Sequence, residues 1–169
     1  MLSGETSIGR YPVRAVSMMA KIIAEYQGDI RRRGLVPDDA SLSKHAVSTS
    51  ITQAAAGMVD SMPISAILTP TRSGFSARMM ARHKPLCPII ACTHDEKVFS
   101  QLQLSWGVRP MLKSKRTADL FVLAKHMISY AVEHKLLKKT DLVIFLSGHH
   151  RLGIPYTNVL EIIDLSDLE

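Results

Sequence analysis

The hydrophobic pattern changes character once along the chain. From Pro12 to Tyr26, residues Val13, Val16, Met19, Ala20 and Ile23 recur at helical spacing, and Pro12 suits a first turn, so this stretch predicts a helix. Gly28 to Ala40 is polar and arginine-rich, carries Gly34 and Pro37, and reads as a loop. Ser41 then stands as the N-cap of a second helix running to about Val59. Its Ala54-Ala-Ala-Gly57 stretch would let a partner approach closely.

Beyond that point short apolar runs alternate with helical patterns. The predicted strands are Ile64–Thr69, Pro88–Cys92, Val108–Leu112, Leu142–Leu146 and Asn158–Leu165. The predicted helices between them are Phe75–Arg82, Asp95–Leu104 and Thr117–Leu136. Such alternation predicts an α/β layer with a mostly parallel sheet, and the near-continuous apolar strands fit a sheet buried on both faces. The last two strands are joined by about a dozen residues without helical pattern. That is cramped for a parallel crossover, so the last strand is expected to be antiparallel.

Composition narrows the class. The 169 residues suit one domain with a full core, and 46% apolar with 21% charged residues is ordinary for a globular chain. No window approaches the ~18 unbroken apolar residues of a membrane span. The N-terminus lacks the basic start and apolar core of a signal peptide. Cys87 and Cys92 lie in or beside one apolar run, five apart, where strand geometry points them to opposite faces. They read as buried thiols of a cytoplasmic protein rather than a disulfide.

The net charge of +6 comes from scattered residues, with clusters only at Arg31-Arg-Arg33, Lys113-Ser-Lys-Arg116 and Lys138-Lys139. Aromatic residues are 5%, which leaves few platforms for base stacking. The charge therefore reads as a solvated surface with one or two anion-attracting patches, and no nucleic-acid or membrane partner is expected.

Two loops carry candidate chemistry. In Thr69-Pro-Thr-Arg-Ser-Gly-Phe-Ser-Ala-Arg78 a strand ends, hydroxyls crowd the loop, and Gly74 opens a helix. A helix start offers unpaired N–H groups and the positive end of the dipole to an anion. Thr69, Thr71, Ser73 and Ser76 would add hydroxyls, and Arg72 or Arg78 a charge. In open α/β sheets ligands lie beyond the carboxyl ends of strands, where this loop falls. The alternative is a plain capped helix with Ser73 as N-cap. The second loop, Ser147-Gly-His-His-Arg-Leu-Gly-Ile-Pro-Tyr-Thr-Asn158, also follows a strand. His149, His150 and Arg151 there suit anion contact or solvent, since no further spacing of Cys or His completes a metal site.

No nucleophile, base and acid stand together. Ser3 lies outside any Gly-x-Ser-x-Gly elbow. The acidic pairs Asp38-Asp39 and Asp95-Glu96 fall in a loop and at a helix start, where solvation and the dipole account for them. His45, His83, His94, His126 and His134 are dispersed and read as surface or capping residues.

Several stretches are similar to the pyruvate kinase family. Met1-Leu-Ser-Gly-Glu-Thr6, followed by Gly9, Tyr11-Pro12 and Ala15-Val16, resembles the segment that leaves the family's last barrel strand. Thr69-Pro-Thr-x-Ser-Gly74 with Ala77-Arg78 resembles its effector-phosphate loop. Pro85-x-x-Pro-Ile-Ile-Ala91, Leu104-Ser-Trp-Gly-Val-Arg-Pro110 and the closing Asp141-Leu-Val143 to Thr157-Asn158 follow in the family's order.

The resemblance implies a three-layer α/β/α domain around a five-stranded mixed sheet whose last strand is antiparallel. It implies that 1–169 is one domain, with 1–10 the remnant of the barrel junction. It also implies a role in allostery and assembly. The whole enzyme moves a phosphoryl group from phosphoenolpyruvate to ADP with Mg²⁺ and usually K⁺, which the barrel holds. This domain would bind a sugar phosphate or nucleotide monophosphate through Thr69, Thr71, Arg72, Ser73, Gly74 and Ser76, with Arg151 closing over it, and would help build a homo-oligomer. It would hold no metal, no catalytic residue and no cofactor of its own. Two departures stand out. The barrel residues are not in this chain, and Ser7-Ile8-Gly9 replaces the family's Ala-Lys-Gly. The loop Gly148–Tyr156 differs from the family's Gly- and Pro-rich effector loop. The same fold used purely for assembly, with no working effector site, is the competing expectation.

Overall fold

The computed structural model describes residues 2–32, 46–113, 119–148 and 156–168. The chain divides into two units, Met1–Pro37 and Asp38–Glu169. The first holds a short helix α1 (Gly4–Ser7) and a long helix α2 (Pro12–Arg32). Helix α2 starts at Pro12 as the pattern predicts but does not stop at Tyr26, and residues 28–32 are helical rather than loop. An interior glycine costs a helix only about 1 kcal/mol relative to alanine, so Gly28 does not end a run otherwise made of tolerant residues. The remainder of the expected loop, and the Ser41 cap, lie outside the described residues.

The second unit carries the alternation. Its elements are α3 (Ala46–Ser61), β1 (Ile64–Pro70), α4 (Phe75–Arg82), β2 (Ile89–Thr93), α5 (Glu96–Leu102) and β3 (Val108–Leu112). They continue with α6 (Leu120–Glu133), β4 (Leu142–Ser147), β5 (Val159–Asp164) and a closing 3₁₀ turn, Leu165–Asp167. The five strands form one mixed sheet in the order β3-β2-β1-β4-β5. The pairs β1–β2, β2–β3 and β1–β4 are parallel, and β4–β5 is antiparallel, as the short connection requires.

Alternation along each strand sorts the core into two layers. Ile67, Ile89, Ile144 and Leu146 meet Ala55 and Val59 of α3, Ala77 and Met80 of α4, and Leu102 of α5. Leu68, Ile90, Val143 and Phe145 meet Leu123, Met127 and Ile128 of α6. The fold is thus α/β/α, with three helices on one face of the sheet and one on the other. Cys87 belongs to the first layer and Cys92 to the second, both buried, so they do fall on opposite faces. Burial pushes the Cys92 thiol up from its ordinary pKa, with Lys113 opposing weakly, which keeps it protonated and inert.

The helix ends differ from expectation where a cap decides them. Asp95 accepts from Val98 N–H at 3.0 Å, so α5 begins at Glu96. Asp119 accepts from Phe121 and Val122 N–H at 2.9 and 3.3 Å, so α6 begins at Leu120, and the expected residues 117–118 lie outside the described ones. The same helix stops at Glu133 rather than Leu136, because Lys135 turns into the left-handed region at φ 57°. Among the described residues no helix is long and apolar enough to cross a membrane.

Candidate functional site

The chain leaves β1, crosses by α4 on one face, and pairs β2 beside β1. From β3 it crosses by α6 on the opposite face and lands on the other side of β1 as β4. The crossovers therefore diverge between β1 and β4, and the carboxyl ends of these two strands flank a topological switch point. Both loops singled out in the sequence leave from this place. The first connects β1 to α4, and the second leaves β4 after Ser147.

Thr69 is fully buried at the end of β1, and its Oγ1 has no hydrogen-bond partner among the described residues. Thr71 is also buried, and its N–H donates to the Cys92 carbonyl at 2.8 Å, which ties the loop to the end of β2. Arg72 and Ser73 are exposed. Gly74 is the N-cap of α4 at φ 77°, so the reading of Ser73 as N-cap is corrected. The left-handed turn is cheap only for glycine. A Cβ here would also lie 2.5 Å from Arg78 Nη1 and 3.2 Å from Leu102 Cδ2, so the Arg78 side chain would have to move aside.

That cap leaves the start of α4 open. The Asp side chains that begin α5 and α6 bond into their own helices, whereas α4 has no side-chain cap. The helix's bonding opens with Arg78 N–H to the Gly74 carbonyl at 3.0 Å, so the N–H groups of Ser76 and Ala77 precede any intrahelical acceptor. Arg78 folds back and donates from Nη2 to the Ser73 carbonyl at 2.9 Å. Its guanidinium thus adds positive charge beside the positive end of the helix dipole.

A polar seam holds this corner. Ser76 Oγ and Thr157 Oγ1 share a hydrogen bond of 2.5 Å. The Thr157 carbonyl accepts from Ser48 Oγ of α3 at 3.2 Å. Thr52 Oγ1 donates to the Ser48 carbonyl at 2.9 Å and lies 3.2 Å from His83 Nε2. The residue that ends the second loop is therefore anchored on the helix that follows the first. Sequence reasoning placed Thr157 in the second loop and in the closing family stretch but gave it no role at this corner, and it missed Ser48 and Thr52, because contacts spanning 81 and 109 residues leave no local pattern.

The structure brings Thr69, Thr71, Arg72, Ser73, Gly74 and Ser76 into one connected loop and helix start. Arg151, with His149 and His150, lies outside the described residues. Among those described, no three His, Cys, Asp or Glu side chains cluster to hold a metal.

Comparison with known proteins places this architecture. Residues 49–163 match the family described as pyruvate kinase, alpha/beta domain. A pyruvate kinase of Sporosarcina psychrophila is 33% identical over 168 residues, covering 99% of this chain and 28% of that protein. A pyruvate kinase of Clostridium acetobutylicum is 33% identical over 166 residues, covering 96% of this chain and 34% of that protein. The crystal structure of a pyruvate kinase from Cryptosporidium parvum superposes with a TM-score of 0.76 at 25% identity, over 98% of this chain and 32% of that one. The chain thus spans about a third or less of the relatives it matches. By its matched sequence and its sheet order with an antiparallel last strand, this chain belongs to the pyruvate kinase alpha/beta domain family.

Proposed function

We propose that this chain is the regulatory and assembly domain of a pyruvate kinase and binds a phosphorylated small molecule, a sugar phosphate or a nucleotide monophosphate, at the start of α4. The observation that carries this reading is a helix N-terminus at the sheet's switch point, capped by Gly74 with no side-chain hydrogen bond to the cap and with the Arg78 guanidinium beside it. A carboxylate cap, as on α5 and α6, would repel an anion, while a glycine admits one. Thr71, Arg72, Ser73, Gly74 and Ser76 would contact the phosphate, the unpartnered Thr69 hydroxyl would support the loop from below, and Arg151 would close over the ligand. Phosphoryl transfer from phosphoenolpyruvate to ADP, in the cytoplasm, is the proposed activity of the whole enzyme. Mg²⁺ and K⁺ would be held by its barrel, and the isolated chain would be inactive. Assembly would be into a homo-oligomer.

A second reading has a specific observation in its favour. Ser76 Oγ is already bonded to Thr157, and Arg78 to the Ser73 carbonyl, so part of the polar equipment is engaged within the fold. On that reading the domain serves assembly alone. Thermal unfolding with and without ligand separates the two. A ligand specific for the native state stabilises by about 2.7 kcal/mol at a hundredfold excess over Kd. For a domain of this size that corresponds to a rise in Tm of about 5–10 °C. If neither sugar phosphates nor nucleotide monophosphates raise Tm, the effector reading fails and the assembly reading stands.

A further inference from the structure

Thr157 and Ser76 lie 81 residues apart in the chain and meet beside α3. The backbone around Thr157 is held from two sides. Its carbonyl accepts from Ser48 Oγ at 3.2 Å, and the next N–H, that of Asn158, donates to the Ser147 carbonyl at 3.0 Å. Thr157 is 2% exposed, and among the described residues only Ser76 Oγ, 2.5 Å away, bonds its hydroxyl. Ser76 is half-buried and sits in the first turn of α4.

Two hydroxyls that share one hydrogen bond hold two protons, and one is left over. If Ser76 donated to Thr157, the proton left over would be that of Thr157, buried and without an acceptor among the described residues. A buried donor left unpaired is costly and uncommon in native proteins. If Thr157 donates to Ser76, the buried proton is used and the one left over belongs to the half-buried partner. This second arrangement satisfies Thr157 and leaves the Ser76 hydroxyl as a donor at the start of α4. The N–H groups of Ser76 and Ala77 stand there too, ahead of any intrahelical acceptor.

We propose, resting on phosphate binding at the start of α4, that Thr157 is a positioning residue for that site: its hydroxyl donates to Ser76 Oγ and holds the Ser76 hydroxyl ready to donate to a phosphate oxygen. Thr157 is buried and acts through Ser76 rather than on the ligand. A hydroxyl that already accepts a bond is the stronger donor, because hydrogen bonds in a chain polarise one another. A fixed partner also restrains the Ser76 side chain before the ligand arrives, which lowers the ordering cost of binding. The oxygens of a phosphate dianion only accept, so a cluster of donors suits them.

The test is a double-mutant cycle on the full chain, read by calorimetric titration with glucose-6-phosphate and with adenosine monophosphate. Ser76→Ala should weaken whichever of the two binds the wild type by at least about tenfold, as loss of a hydrogen bond to a charged group does. The near-isosteric Thr157→Val should weaken it about three- to tenfold, and Thr157→Ser, which keeps the hydroxyl, should bring it back to within about twofold of wild type. In the Ser76→Ala background Thr157→Val should change nothing further, since the hydroxyl it serves is gone. Thr157→Cys, whose thiol donates only weakly, replaces the valine variant in the cycle if circular dichroism shows that variant unfolded. Wild-type affinity in Thr157→Val, or a loss that adds in full to that of Ser76→Ala, overturns the positioning role and leaves the α4 site standing. Binding of neither compound to the wild type overturns both.

Discussion

His83 shows how much one side chain can link. It ends α4 as the C-cap, and its Nε2 lies 3.2 Å from Thr52 Oγ1 on α3. Thr52 already donates to the Ser48 and Thr49 carbonyls, so its oxygen accepts from the imidazole N–H. Burial, helped by the Arg82 charge, lowers the His83 pKa below its ordinary 6.5. The unfolded chain therefore takes up a proton first as pH falls through about 6.5, and the native state loses stability on the acid side. The full penalty is reached below the folded pKa. Thermal unfolding from about pH 8 to about pH 5 should show wild-type Tm falling more than that of His83→Gln. Parallel curves would contradict this. In the sequence His83 reads only as one of several surface or capping histidines. The capping half is right, and the Thr52 contact is invisible because it depends on α3 and α4 packing side by side.

At the scale of elements, the starts of the helices separate structure from function. Asp95 and Asp119 close α5 and α6, and neither helix presents an open end. Gly74 leaves α4 open at φ 77°, and the Arg78 side chain occupies the space a Cβ would need. Gly74→Ala should cost about 1–3 kcal/mol from the backbone conformation alone, with a further loss as Arg78 is displaced from the Ser73 carbonyl. Urea unfolding reads this directly, and an unchanged midpoint would show that the left-handed cap is not required. Much at this scale was legible from the chain. The turn glycine, the strand before it and the helix after it are local patterns. Helix ends were less so: α2 runs through Gly28 to Arg32, since one interior glycine costs a helix little, and α6 stops at Glu133 before the left-handed Lys135.

For the whole molecule, periodicity names strands but not their neighbours. Alternation of strand and helix predicted the α/β class, and the short final connection predicted the antiparallel β5. The order β3-β2-β1-β4-β5 could not be read that way, because it depends on which face each crossover helix covers. That order sets the ends of β1 and β4, from which the two loops leave, side by side. The hydrogen bond between Ser76 and Thr157 then joins them. The central claim is that a phosphorylated ligand binds at the start of α4. Calorimetric titration of the full chain and of Ser73→Asp with a sugar phosphate and a nucleotide monophosphate tests it most directly. Ser73 is exposed and precedes the helix, where an acidic side chain favours folding but repels a phosphate. The expected result is saturable binding to the wild type, weakened at least about tenfold in the variant. Equal affinity in the two proteins, or no binding to either, would contradict the claim.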